Sequence, residues 1–142
     1  MSHQYFLGAD IGTTAIKAAL FDEQGRKVLH HAQEYTLLKP DAQRVEQIPH
    51  VYWETFQACV KKVVQDSKID PEQIKAFSMD SSAETIVFLD EKMEPLDNFY
   101  VWLDSRASIE AEEINHHFTA EEILHATGQT PICLLYTSDA AD

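Results

Sequence analysis

Basic residues are scarce in this sequence. Its 142 residues include 11 lysines and arginines against 24 aspartates and glutamates, a formal net charge of −13. A nucleic-acid binder carries a basic footprint, and an anionic membrane surface attracts basic segments, so neither is an expected partner. Phosphates stay open as ligands if backbone donors, hydroxyls and a metal hold them locally. Long apolar runs are also missing, and none approaches the roughly 20 residues that cross a bilayer. The start, Met1-Ser2-His3-Gln4, has no basic segment followed by an apolar core, so no secretory signal is read there. Cysteine is limited to Cys59 and Cys133. Two cysteines make no disulfide framework, and a reduced cytoplasm is the expected compartment. The histidine pairs His30-His31 and His116-His117 are adjacent rather than four apart. They lack the spacing of a helical zinc site, and no metal is assigned to them.

What is present is ordinary for a globular chain: 44% apolar and 25% charged residues. The length suggests one domain with a core of its own. The informative stretch is Leu7 to Asp22. An apolar run reads as a strand over 5–11, ends near Asp10, turns through Gly12-Thr13-Thr14 and returns as a strand over 15–22. Both runs read as strands buried on two faces. Gly12 permits a backbone approach that a side chain would forbid. Successive turn N–H groups can form an anion-binding concavity, and Thr13 and Thr14 add hydroxyls. Asp10 is placed to hold a hydrated Mg²⁺, which needs only one or two carboxylates. An ordinary hairpin with a Gly-Thr turn is the alternative reading of the same spacing.

Downstream, Gly25 suits the turn after Asp22, and a third antiparallel strand is expected from Lys27 to about Thr36. A loop punctuated by Pro40 and Pro49 follows. Helix one is predicted from about His50 to Asp66, with Tyr52, Phe56, Cys59, Val60, Val63 and Val64 on its apolar face. Trp53 is expected to pack in the core. Asp70-Pro71-Glu72-Gln73 looks like a helix start leading into a fourth strand at Ile74 to Met79. A polar turn at 80–84, a fifth strand at Thr85 to Asp90 and a short apolar run at 98–103 come next. Helix two is predicted to begin near Ser105 or Arg106, with Ala107, Ala111, Ile114 and Phe118 as its core stripe. Thr119-Ala120-Glu121-Glu122 reads as a capping box for a short helix stopping near Gly128.

The pattern Asp10-x-Gly12-Thr13-Thr14-x-x-Lys17-x-x-Leu20-x-Asp22 resembles the first phosphate motif of the FGGY carbohydrate kinases, the family of glycerol kinase and xylulokinase. Val45-Glu46-Gln47-Ile48-Pro49-His50-Val51-Tyr52-Trp53 resembles that family's approach to its first helix. Trp102-Leu103-Asp104-Ser105-Arg106 resembles its Trp-x-Asp-x-Arg signature. The resemblance covers about residues 5–132. It implies a truncated α/β, ribonuclease-H-like domain of the actin-like ATPases, a mixed sheet with helices. It also implies transfer of the γ-phosphoryl group of ATP to a hydroxyl of a sugar or polyol.

On that resemblance, Asp10 holds Mg²⁺ through water, Gly12, Thr13 and Thr14 line the phosphates, and Lys17 faces them. Ala83 and Glu84 occupy the substrate-turn positions that carry Arg-Glu in glycerol kinase and Met-His in xylulokinase. Glu84 matches the glycerol kinase carboxylate. Ala83 departs from both patterns and removes a fork of donors, which leaves room for a substrate larger than glycerol. Trp102 forms a wall against the carbon face of the substrate, Asp104 accepts from its hydroxyls, and Arg106 holds Asp104. The family's catalytic Asp comes from much later in the chain, so no catalytic base is assigned here and the isolated segment is expected to be inactive. Family members are several times longer, with a second domain and interfaces that leave room for a homo-oligomer. Other actin-like ATPases and a stand-alone binding module remain the alternatives. Cys133 to Asp142 resembles translated transposon-adapter sequence, so 1–132 is taken as the N-terminal part of the first kinase domain and 133–142 as a non-native tail.

Overall fold

The computed structural model describes residues 3–128. Cys133 and the tail at 133–142 lie outside the described residues. The elements run β1 (Tyr5–Ile11), β2 (Ala15–Asp22), β3 (Lys27–Glu34), β4 (Glu46–Gln47), α1 (Pro49–Ser67), a single 3₁₀ turn (Pro71–Gln73), β5 (Ile74–Ser81), β6 (Phe99–Tyr100), α2 (Ser108–His117) and α3 (Ala120–Thr127). Four strands form one sheet in the order β3-β2-β1-β5, and β4 pairs with β6 in a second, two-stranded sheet. The first three strands are an antiparallel meander, whereas β5 lies parallel to β1. A parallel neighbour requires a crossover, and α1 supplies it.

The core forms where α1 lies on the sheet. Ile16, Ala18 and Leu20 of β2 and Leu7 of β1 meet Tyr52, Cys59 and Val63 of α1. The buried Cys59 thiol donates to the Ile16 carbonyl at 3.3 Å, and burial pushes its pKa up. Pro49 opens the helix at its first turn, and Lys68 closes it in a left-handed conformation. The alternation in β2 corrects the expectation of strands buried on two faces. Ile16, Ala18 and Leu20 face α1, while Lys17 between them is exposed. Among the described residues one face of the sheet is covered and the other is open.

Three further expectations change. Trp53 is 59% exposed and stacks on Phe56 at 5.7 Å rather than entering the core. Its helical position follows the buried Tyr52 by about 100° and points past the sheet. The fifth strand at 85–90 does not form. Only isolated bridges, Ile86 to Tyr100 and Leu89 to Pro95, tie that segment down, because Asp90 folds back through bonds to Lys92 and Glu94 into a tight turn. Helix α2 begins at Ser108, and of its expected stripe Ala111 is buried while Ile114 and Phe118 remain exposed. The short helix α3 does carry the capping box, and Gly128 terminates it at φ 73°.

Candidate functional site

The turn between β1 and β2 is built around Gly12. Its N–H donates to the Ala15 carbonyl at 3.0 Å. A Cβ placed at Gly12 would stand 3.0 Å from that same oxygen and 3.7 and 3.9 Å from the two Asp10 carboxylate oxygens. The loop is therefore closed tightly on the Ala15 carbonyl, with the Asp10 carboxylate at ordinary contact distance, and a side chain at position 12 would require that oxygen to give way. Tyr35, just beyond β3, pins the loop from behind: its hydroxyl donates to the Gly12 carbonyl and its N–H to the Thr14 carbonyl at 3.0 Å. Burial first, then the neighbouring Tyr52 and the Asp10 charge, hold the Tyr35 pKa far above its ordinary value. Tyr35 stays a proton donor throughout the neutral range.

Asp10 ends β1 beside two charged neighbours. Across the antiparallel pair lies Lys17, whose Nζ is 3.1 Å from Oδ2. Across the parallel pair lies Asp80. Both members of the Lys17–Asp10 pair are about half exposed, so the pair contributes little to stability, of order 0–1 kcal/mol, and either group is free to engage a ligand. The adjacent Asp10 and Asp80 suit a hydrated divalent cation, which takes one or two carboxylates and keeps its water.

The parallel pairing brings the turn after β5 to the same end of the sheet. The Ser82 N–H donates to the Ile11 carbonyl at 2.9 Å, and its hydroxyl lies 3.2 Å from the Thr13 hydroxyl. Ala83 and Glu84 follow, both exposed. Glu84 has φ 60°, a left-handed conformation uncommon for a residue with a Cβ. Among the described residues its carboxylate makes no hydrogen bond. Beneath this turn is a cavity of about 220 Å³ lined by Ile11, Tyr52, Ser81, Ser82, Thr85 and Phe99.

The third motif meets the other two at Thr13. The half-buried Trp102 indole donates through Nε1 to the Thr13 hydroxyl at 2.8 Å. Behind it, Asp104 accepts from the Val45 N–H at 2.8 Å, from the Arg106 N–H at 3.1 Å and from the Arg106 guanidinium at 2.8 and 2.7 Å. A carboxylate has about four acceptor sites, and all four are engaged within the chain. Arg106 reaches on to Glu46 at 2.6 Å and lies over the Tyr100 ring, 4.3 Å from its centroid. Asn98 also donates to Glu46, at 2.9 Å. Hydrogen bonds from Asn98 and then Arg106 hold the Glu46 carboxyl below its ordinary pKa. Burial works to raise the Asp104 pKa, and the Arg106 and Val45 hydrogen bonds outweigh it, so the net shift is downward.

Asp10, Gly12, Thr13 and Lys17 thus stand together with Trp102 and the 82–84 turn. Thr14 is exposed at the outer edge of the loop. Asp104 and Arg106 are directed into the protein, toward β4, and not into the opening. Sequence reasoning passed over Tyr35, Ser82 and the pairing partners Glu46 and Asp80. Ser82 and Asp80 lay within the polar turn that had been singled out, and Glu46 within the quoted approach to α1. Tyr35 carried no local signal.

The chain matches the model of the FGGY family of carbohydrate kinases, N-terminal domain, over residues 5–138. It is 36% identical over 129 residues to a gluconokinase of Bacillus subtilis (strain 168), covering 90% of this chain and 24% of that protein. It is 33% identical over 129 residues to a glycerol kinase of Marinomonas sp., covering 90% and 26%. Among solved structures it resembles a gluconate kinase from Lactobacillus acidophilus at TM-score 0.83 and 28% identity, covering 97% of this chain and 29% of that one. A Plasmodium falciparum glycerol kinase solved with ADP shares the fold at TM-score 0.79 and 20% identity, covering 98% and 29%. The chain spans about a quarter of the length of the curated relatives it matches.

Proposed function

Because the chain belongs to the FGGY family of carbohydrate kinases, we propose that the protein carrying it transfers the γ-phosphoryl group of ATP to a hydroxyl of a sugar or polyol. The observation that supports this reading best is the junction at Thr13. One hydroxyl is shared by the Gly12–Thr14 loop, the 82–84 turn and Trp102, so the loop read as the phosphate site and the ring read as the acceptor wall stand against each other.

Phosphoryl transfer asks the protein for positioning and charge neutralisation. The Gly12 loop and the Thr13 and Thr14 hydroxyls would hold the β- and γ-phosphates, with Lys17 beside them. Asp10, with Asp80 next to it, would hold Mg²⁺ through its water shell. The closed Gly12 turn, with the Asp10 carboxylate at ordinary contact distance, fits such a group. When bound, Mg²⁺ neutralises the charge that develops on the transferring phosphoryl group. Trp102 would wall the carbon face of the acceptor, and Glu84 would accept from its hydroxyls. Asp104, whose acceptor sites are filled internally, braces the Trp102 segment against β4. The adenine site, the catalytic base and any oligomer contact would come from sequence outside this segment. No helix among the described residues is long and apolar enough to cross a membrane. With ATP as the donor, the proposed compartment is the cytoplasm.

The test is ADP release by the full-length protein with Mg·ATP and a panel of gluconate, glycerol and xylulose. Gluconate heads the panel, because the relatives named gluconokinase are similar to this chain and Ala83 lacks the side chain that would narrow the site. Turnover of at least one acceptor, reduced at least tenfold in Glu84→Gln, is the expected result. Absence of turnover with every acceptor would overturn the reading.

A further inference from the structure

One hydrogen bond at Thr13 has a fixed direction. An indole N–H only donates, so Trp102 gives its proton to Thr13 Oγ1 at 2.8 Å. Ser82 Oγ donates onward to the Ile11 carbonyl, at 3.4 Å. The Thr13 hydroxyl lies 3.2 Å from the Ser82 hydroxyl, and either can donate to the other. The result is a linked set, Trp102, Thr13, Ser82 and the Ile11 carbonyl, that starts on the proposed wall of the acceptor site and ends one residue from Asp10. Thr13 itself has one O–H and two lone pairs. A phosphate oxygen arriving at the loop takes that O–H. The bond from Trp102, whose direction cannot reverse, then fixes one of the two lone pairs and with it the orientation of the hydroxyl.

We propose that Trp102 is a positioning residue that couples the two halves of the site. Acceptor seated against the indole ring fixes the N–H, the N–H fixes the Thr13 hydroxyl, and the hydroxyl is thereby aimed at the phosphates. The proposal rests on the reading above that Trp102 faces the acceptor and Thr13 the phosphates. Coupling of this kind is reciprocal: acceptor tightens nucleotide binding by the same factor by which nucleotide tightens acceptor binding.

The experiment uses the full-length protein and the panel acceptor that it turns over best. Calorimetry gives the Kd of a Mg-bound non-hydrolysable ATP analogue with and without saturating acceptor, and the ratio of the two is the coupling factor. Trp102→Phe keeps a ring against the acceptor and removes the N–H. It should lower the coupling factor, which is taken at saturating acceptor and so does not depend on the acceptor Kd of the variant, about fivefold, the size of one neutral hydrogen bond. Thr13→Ser should keep the factor and Thr13→Val should lose it. The double variant Trp102→Phe/Thr13→Val should be no worse than Thr13→Val alone, as expected for two residues in one link. A factor unchanged in Trp102→Phe overturns the proposal. If that variant does not fold, an unchanged factor in Thr13→Val does so instead. A wild-type protein that turns over acceptor with a coupling factor of one overturns the coupling and leaves the kinase reading intact. Absence of turnover overturns the kinase reading itself.

Discussion

The Arg106 guanidinium grips Asp104 two residues before it and Glu46 sixty residues before it, at 2.7 and 2.6 Å. The two carboxylates are nearly buried and Arg106 is about one-third exposed. This cluster ties the Trp102 segment to β4 and so to the start of α1. Arg106→Lys keeps a charge but loses the planar fork. It should destabilise the protein by about 2 kcal/mol, after allowance for partial exposure of Arg106. Urea unfolding of the variant against wild type measures this, with Arg26→Lys, on an exposed turn, as the control expected to change stability by less than about 0.5 kcal/mol.

The same cluster sets a pH dependence. The Glu46 and Asp104 carboxyls both have depressed pKa values in the fold. A depressed carboxyl contributes stability that is fully present above its unfolded value, roughly 4, and that is lost as pH falls through the folded value. Stability should therefore be level with respect to this cluster from neutrality to about pH 5 and should fall below about pH 4. Glu46→Gln should flatten part of that acid limb in a series of denaturant midpoints against pH.

Gly12→Ala places a methyl group 3.0 Å from the Ala15 carbonyl oxygen, a backbone atom that cannot swing aside. The hairpin must open to admit it, at a cost of about 1–2 kcal/mol. The KM for ATP should rise tenfold or more, because the loop and the Asp10 carboxylate move together. Steady-state kinetics at saturating acceptor read this directly.

Tyr35→Phe removes the hydroxyl that holds the Gly12 carbonyl and leaves the ring packed on Tyr52 at 5.1 Å. One hydrogen bond to the proposed phosphate loop is lost, so the KM for ATP should rise about three- to tenfold while the acceptor KM stays within about twofold. Equal rises in both constants would contradict a role confined to the loop.

The first meander and α1 were legible because their apolar spacing and turn residues act locally. The apolar runs of β1 and β2, Gly25 after Asp22 and Pro49 at the head of α1 each determine structure within a few residues, although the one-sided burial of β2 was not foreseen. The capping box at Thr119 and the stop at Gly128 are likewise local. The segment 85–90 was misread because its apolar residues suit a strand, yet Phe88 and Leu89 find no sheet partner among the described residues beyond the single bridge of Leu89 to Pro95. Trp53 was misread for a related reason. Its size argues for burial, but its position one residue past Tyr52 places it on the outer flank of α1. The tight turn at Gly12–Thr14 could be read from its spacing. The brace at Asp104 and Glu46 and the latch at Tyr35 could not, since they join residues 59, 60 and 23 positions apart, and no local pattern encodes such a meeting.

The parallel pairing of β1 with β5 has a consequence for how the site comes into being. Residues 5–34 close on themselves through near-neighbour contacts, but Ser82 meets Ile11 across 71 positions and Trp102 meets Thr13 across 89. Contacts of such high sequence separation pay a large loop-closure entropy and form late. During synthesis from the N-terminus, the glycine loop emerges and folds while the residues that lock it are still untranslated. Pulse-labelled hydrogen exchange should find β1–β3 protected before β5. The Trp102 ring is then the last piece set against a loop already waiting for it, so premature termination before Trp102 would leave a folded hairpin with no lock.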